Sequence, residues 1–141
     1  VEGFSREFVR GGGSVRALHG ELTAGEGRRL ASLAIHEGRS PSCLFAVNNF
    51  LAIGALQELS AQGLSVPGEV SVVGYDDLPA AMLASPFLTA VVQPAYEMGF
   101  AAGQRLMQRI ARHDLAPQEL LLPVDLQIRG STAAVRPRSD S

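Results

Sequence analysis

The sequence predicts an α/β fold built on a parallel sheet, and three observations predict it. Apolar runs rich in β-branched residues alternate with stretches that carry apolar residues at helical spacing. The order strand, helix, strand, helix is the pattern of parallel strands joined by right-handed crossovers. With 141 residues, 46% of them hydrophobic and 18% charged, the chain has enough apolar material for one domain with a sizeable core.

The elements follow in order. Residues 1–9 place Val1, Phe4 and Phe8 on one helical face, and Gly11-Gly12-Gly13 stops that helix. Residues 15–19 are short and apolar enough for a strand. Thr23 with Glu26 three residues on has capping-box spacing, and Leu30, Leu33 and Ala34 continue as a helical stripe until Ser40-Pro41. The continuous apolar run 43–47 suits a strand buried on both faces. Asn49 is placed to cap a helix over 50–62 that ends at Gly63.

Val66-Pro67-Gly68 turns the chain into a β-branched strand over 70–75. A loop through Asp76, Asp77, Pro79, Ser85 and Pro86 leads to a strand over 89–92. Pro94 suits the first position of a helix running to about residue 112, with Arg105, Arg109 and Arg112 in its later turns, where cations complement the helix dipole. Residues 120–128, interrupted by Pro123, read as one or two strands, and 131–141 as a polar tail.

Composition narrows the function. The formal net charge is −2 and no Lys/Arg run exists, so this segment is not built to hold nucleic acid by itself. No apolar stretch is long enough to span a bilayer, and the first residues lack the apolar region of a signal peptide. Cys43 has no internal partner for a disulfide, which fits a reducing, cytoplasmic setting. Val1 does not resemble a natural start, so the chain reads as an excised fragment.

In open parallel sheets ligands bind outside the carboxyl ends of the strands. Those ends carry Gly20-Glu21-Leu22-Thr23, Asn48-Asn49, Asp76-Asp77 and Gln93. Amide side chains both donate and accept hydrogen bonds, and carboxylates accept, a set suited to a neutral polyhydroxylated ligand. The plainer role of such residues is capping and turning, and Asn49 and Asp77 fit it best.

Enzyme and metal readings lack parts. His19, His36 and His113 stand apart, no Ser occupies a nucleophile elbow, and Gly20 to Gly27 lacks a phosphate-loop ending. Cys43 reads as a packed thiol, and Asp76-Asp77 as turn-forming rather than Mg²⁺-binding. No cofactor, metal or catalytic residue is expected. The helix from Phe50 is apolar nearly all round; it is either covered on both sides or presents Ile53, Leu56 and their neighbours at a subunit interface.

Phe45-Ala46-Val47-Asn48-Asn49-Phe50-Leu51-Ala52-Ile53-Gly54-Ala55-Leu56 is similar to an A-x-N-D-x-x-A-x-G-A segment, and residues 66–77 to a V-P-x-D-(V/I)-S-V-V-G-(F/Y)-D-D signature. Pro86-Phe87-Leu88-Thr89-Ala90-Val91-Val92-Gln93-Pro94 with Met98-Gly99 resembles P-P-L-T-T-V-x-Q-P-x-x-x-M-G. Leu121-Leu122-Pro123 and Ile128-Arg129-Gly130-Ser131-Thr132 match a closing L-P…L-x-x-R-x-S-T, and Glu2-Gly3-Phe4 an R-x-x-G-(F/W) start whose Arg would precede Val1. Together these motifs, in order along nearly the whole chain, resemble the LacI/GalR (lactose-repressor) family of transcriptional regulators.

The resemblance implies a periplasmic-binding-protein-like fold of two lobes, with effector in the cleft between them and a helix-turn-helix domain in front. Residues 1–90 and 120–141 would form the C-terminal lobe, and 91–119 a crossover segment belonging to the N-terminal lobe, most of which lies outside this chain. Asn48, Asp76 and Gln93 fall on positions that bind effector in relatives, and Leu22 where relatives often place an aromatic wall. Ile53, Leu56 and Ala84 fall on the homodimer face.

Two departures bear on the ligand. Asn49 replaces the usual Asp, and Leu22 is not aromatic, so a sugar, a purine, a nucleoside or another polar metabolite stays open as effector. Operator DNA would be contacted only through the absent domain, and this fragment alone would bind effector weakly or not at all. The alternative is a solute-binding receptor of a sugar transport system, which shares the two-lobed fold; a flavodoxin-like enzyme is more distant. Upstream residues decide between the first two: a helix-turn-helix means repressor, a signal peptide means receptor.

Overall fold

The structure, a computed structural model, describes residues 2–37, 40–77 and 87–134. Its elements are α1 (Glu2–Arg10), α2 (Ala24–His36), β1 (Cys43–Ala46), α3 (Asn49–Ala61), β2 (Ser71–Tyr75), β3 (Thr89–Val92), α4 (Ala95–Ala111) and β4 (Asp125–Gln127). One four-stranded sheet runs in the order β1-β2-β3-β4. The first two pairings are parallel and the third antiparallel, with Ala46 beside Gly74, Tyr75 beside Val91 and Val92 beside Asp125. The predicted α/β sheet is present, and its last strand makes it mixed.

The core lies where α3 meets the sheet. Leu51, Ala52 and Leu59 of α3 are buried with Ala46, Val70, Val72, Leu88 and Ala90. On its other side α3 packs against α2, so the helix that is apolar all round is covered twice. Ile53 and Leu56 pack against the core while staying half-buried, and Phe50 is exposed.

Two glycines make that double cover possible. A Cβ at Gly27 would overlap the Leu51 carbonyl oxygen, and one at Gly54 the Ala24 carbonyl oxygen, so the α2 and α3 backbones touch at reciprocal points. α3 ends in a left-handed Gly63 (φ 72°) with the Leu64 N–H bonded to the Leu59 carbonyl at 2.9 Å, the Schellman arrangement.

Some expectations need correction. Residues 15–19 are not a strand: none of residues 14–22 shares a backbone hydrogen bond with another described residue. A strand exists only through its partner, and here Arg16 instead reaches the last turn of α2, donating to the carbonyls of Leu33 (3.0 Å) and Glu37 (2.6 Å). β1 is therefore the sheet's edge and half-buried, not buried on both faces. Phe4 of α1 covers one side of it, stacked on Phe45 at 4.6 Å, and Phe8 stacks on Phe4.

Residues 120–124 are not strand, and β4 is only three residues long and exposed. Ser131 is no part of a polar tail: it is fully buried between β2 and β3. Its Oγ accepts from the Thr89 N–H (2.7 Å) and donates to the Val72 carbonyl (2.6 Å), while its own carbonyl accepts from the Val72 N–H (2.8 Å). That residue completes the ladder where the strands' amino ends diverge.

One region stands out from this packing. α4 follows Pro94 as expected, but it buries no residue and has no substantial packing partner among the described elements. No helix among the described residues is long and apolar enough to cross a membrane.

Candidate effector site at the strand ends

The parallel strands β1, β2 and β3 deliver their carboxyl ends to one rim of the sheet. The chain after β1 reaches Asn48, after β2 Asp76, and after β3 Gln93, and the register puts them side by side. The amide of Gln93 donates to a carboxylate oxygen of Asp76. Asn48 Nδ2 donates to the carbonyl of Leu22 at 3.4 Å, which brings the loop before α2 to the same rim. Asn48, Asp76 and Gln93 are half-buried, and Leu22 is 58% exposed. The four predicted residues thus share one edge.

Local chemistry explains each placement. The cap of α3 is Asn48, not Asn49: its Oδ1 accepts from the Leu51 N–H at 2.9 Å. One lone pair of its Oδ1 and one N–H of its Nδ2 are thus engaged, and Asn48 offers a ligand the other of each. Asn49 instead donates from Nδ2 to the Asp77 carbonyl at 3.2 Å, tying the end of β2 to the start of α3. Thr23 caps α2 as expected, accepting from the Glu26 N–H at 3.2 Å, while the Glu26 carboxylate turns to Arg29.

Asp76 adopts a left-handed backbone (φ 68°), sparsely populated for a non-glycine residue. Its N–H bonds the Val91 carbonyl at 2.9 Å, so the turn is pinned to β3. Asp77 is no simple cap: Arg129 grips it bidentately, Nη1 to Oδ1 at 2.6 Å and Nη2 to Oδ2 at 2.7 Å. That pairing raises the Arg129 pKa above its ordinary value, so the guanidinium stays charged.

Sequence reasoning gave Arg129 no site role because it lies 52 residues from its partner, beyond any periodic signal. The antiparallel register of β4 also sets Asp125 beside Val92, the residue before Gln93. Elsewhere, burial pushes the Cys43 thiol pKa up, consistent with packing. Among the described residues no three His, Cys, Asp or Glu side chains gather as a metal site.

The expected subunit face divides. Ile53 and Leu56 stand half-buried on α3, where Leu56, Ser60, Leu64 and Phe87 line a shallow depression away from the polar rim. Ala84 lies outside the described residues. The rim itself is an open edge rather than a closed pocket, as one wall of a cleft would be.

Comparison with known proteins now decides the family. Residues 3–132 match the model of a periplasmic binding protein-like domain. The chain belongs to the periplasmic-binding-protein-like family. Within that family its relatives are LacI-type regulators, as the motif order anticipated. It is 30% identical over 116 residues to the HTH-type transcriptional repressor CytR of Escherichia coli K12, an alignment covering 82% of this chain and 34% of that one.

Among solved structures it resembles a LacI family transcriptional regulator from Enterococcus faecalis with bound ribose. The TM-score there is 0.83 at 28% identity, over 96% of this chain and 49% of that one. It also resembles the lac repressor dimer bound to operator and the anti-inducer ONPF, with TM-score 0.80 and 27% identity, over 94% and 46% of the two chains. The chain therefore spans about a third to a half of the length of these relatives.

Proposed function

We propose that this chain is the C-terminal effector-binding and dimerisation portion of a LacI-type transcriptional repressor. The observation that carries the reading is the convergence of Asn48, Asp76 and Gln93 on one rim of a sheet whose family includes a ribose-bound regulator. The effector is a small polar metabolite, a sugar by preference. Asp76 accepts its hydroxyls, Gln93 and Asn48 donate, and Leu22 gives an apolar contact without ring stacking.

In this reading residues 1–90 and 120–141 form one lobe and 91–119 cross into the other. The opposite wall of the cleft comes from the N-terminal lobe, and operator DNA is held by a helix-turn-helix domain ahead of this segment, in a cytoplasmic protein. Ile53, Leu56 and Ala84 lie at the homodimer contact. Effector binding acts by favouring one of two lobe arrangements, which requires different affinity for the DNA-competent and incompetent states. The regulators among its relatives give no support to a transport receptor or an enzyme.

The test is calorimetric titration of the full-length protein with pentoses, hexoses, disaccharides and nucleosides, paired with operator binding. Asp76→Ala is expected to weaken the best ligand at least tenfold and to abolish its effect on operator affinity. If no compound of the panel binds and Asp76→Ala leaves operator release unchanged, the site is misassigned.

A further inference from the structure

Asp76 is the acceptor at the rim, yet nothing in its own residue type holds its carboxylate toward Gln93. Its left-handed backbone (φ 68°) is a conformation that most residues other than glycine avoid. Aspartate tolerates this conformation better than most residues, and here the surroundings fix it from both sides. On one side the Asp76 N–H is tied to the Val91 carbonyl. On the other the next residue is held at three points: both oxygens of Asp77 by Arg129, and the Asp77 carbonyl by Asn49.

Arg129 is itself fixed. Its side chain is 16% exposed, its Nη1 also donates to the Leu88 carbonyl at 2.8 Å, and its backbone N–H donates to Thr89 Oγ1 at 2.8 Å. Thr89 in turn contacts Thr132 Oγ1 at 2.9 Å, inside the same buried network that holds Ser131. The guanidinium fork therefore links the closing segment of the chain to the residue adjoining the rim acceptor.

We infer that Arg129 is a positioning residue for the effector site: by clamping Asp77 it holds Asp76 in its left-handed turn with the carboxylate aimed at Gln93. This rests on the reading of Asp76 as an effector acceptor. A planar, bidentate partner is required because two parallel bonds fix the rotation of the Asp77 side chain, and with it the following turn. An ammonium would fix position but not rotation.

The experiment compares Arg129→Gln, Arg129→Lys and Asp77→Asn in the full-length protein by NMR and by titration with ribose. The Gln93 side-chain amide, assigned through its loss in Gln93→Leu, reports the bond to Asp76 directly. Arg129→Gln and Asp77→Asn are expected to move that amide to its unbonded position and to speed exchange of the Asp76 N–H. Ribose affinity should fall about tenfold, the loss of one well-aligned hydrogen bond. Arg129→Lys should be intermediate, and the amides that report the Ser131 network should stay protected in all three.

An unmoved Gln93 amide in Arg129→Gln, or in Asp77→Asn should the first not fold, overturns the inference. So does full retention of both signals in Arg129→Lys, because a point charge would then suffice. The amide readout needs no ligand, so it separates the two ideas. If the amide moves but ribose binding is unchanged in every variant, the clamp stands and the assignment of Asp76 to the effector fails.

Discussion

Two helices of this chain, α3 and α4, behave differently. α3 is buried on two sides, by α2 and by the sheet, and its glycine lets backbones touch. α4 is the longest helix described, carries Tyr96, Phe100, Leu106, Met107 and Ile110, and buries none of them; Tyr96 is 80% exposed. Similar apolar content thus gives a core in one place and an unpartnered surface in the other. The difference teaches that the layered half packs on itself, whereas α4 and the exposed Leu120 and Leu121 have no cover among the described residues. In the proposed reading that cover is the N-terminal lobe.

The sharpest test of the contrast is one substitution made in both regions. Gly54→Ala forces a methyl into the Ala24 carbonyl and the Arg28 N–H, so α2 and α3 must separate. A cost of about 3 kcal/mol is expected, seen as a melting temperature lowered by roughly 10 °C. Unchanged melting would mean that the two helices are not in backbone contact.

The next largest effect belongs to Ser131. Ser131→Ala removes both bonds of a fully buried hydroxyl and leaves the Thr89 N–H without its acceptor. The loss should be about 2 kcal/mol, read by chemical denaturation. On α4, Gln108→Ala, which removes only an exposed bond to Arg105, should change stability by less than about 0.5 kcal/mol.

What was legible in the sequence follows the same division. Elements whose cause is local were read correctly: the Thr23 cap, the Gly63 stop, the β-branched strand before Tyr75 and the helix after Pro94. The α3 cap was misplaced by one residue because Asn48 and Asn49 can both cap, and only the bond to Leu51 chooses between them. Residues 15–19 failed as a strand because composition cannot supply a pairing partner. At the rim, the strand-end rule pointed to Asn48-Asn49, Asp76-Asp77 and Gln93, and the resemblance chose Asn48, Asp76 and Gln93 among them; the grip of Arg129 on Asp77 spans the chain and has no local trace. Ser131 looked like tail for the same reason.

An effect smaller than that of Ser131→Ala, and of opposite sign, is expected at a glycine of α4. Gly103 sits mid-helix with nothing near where a Cβ would stand. Gly103→Ala should therefore favour helix by about 0.5–1 kcal/mol, as added ellipticity at 222 nm. If the gain appears without any change in the melting of the core, α4 is energetically separate from the layered half, and the comparison is sharpened. If both rise together, the two regions are coupled.

A last effect is a pH dependence carried by the packed half. Glu58 is buried on α3, where Gln62 donates to its Oε1 at 3.0 Å and Arg28 of α2 lies 3.5 Å from its Oε2. The Gln62 bond chiefly, and Arg28 with it, hold the carboxyl pKa below its ordinary value against the opposing effect of burial. A pKa lower in the folded than in the unfolded chain means the unfolded state binds the proton first. The contribution is therefore present in full above the usual carboxylate range and is lost as pH falls through the lowered folded value. Glu58→Gln keeps the shape and removes the titration, so its melting temperature should fall below the parent's by a constant amount above about pH 5.5. The gap should narrow steadily as pH drops below about 4.5. A gap that stays constant to pH 3 would show that the Glu58 carboxyl is not held below its ordinary pKa in the folded chain.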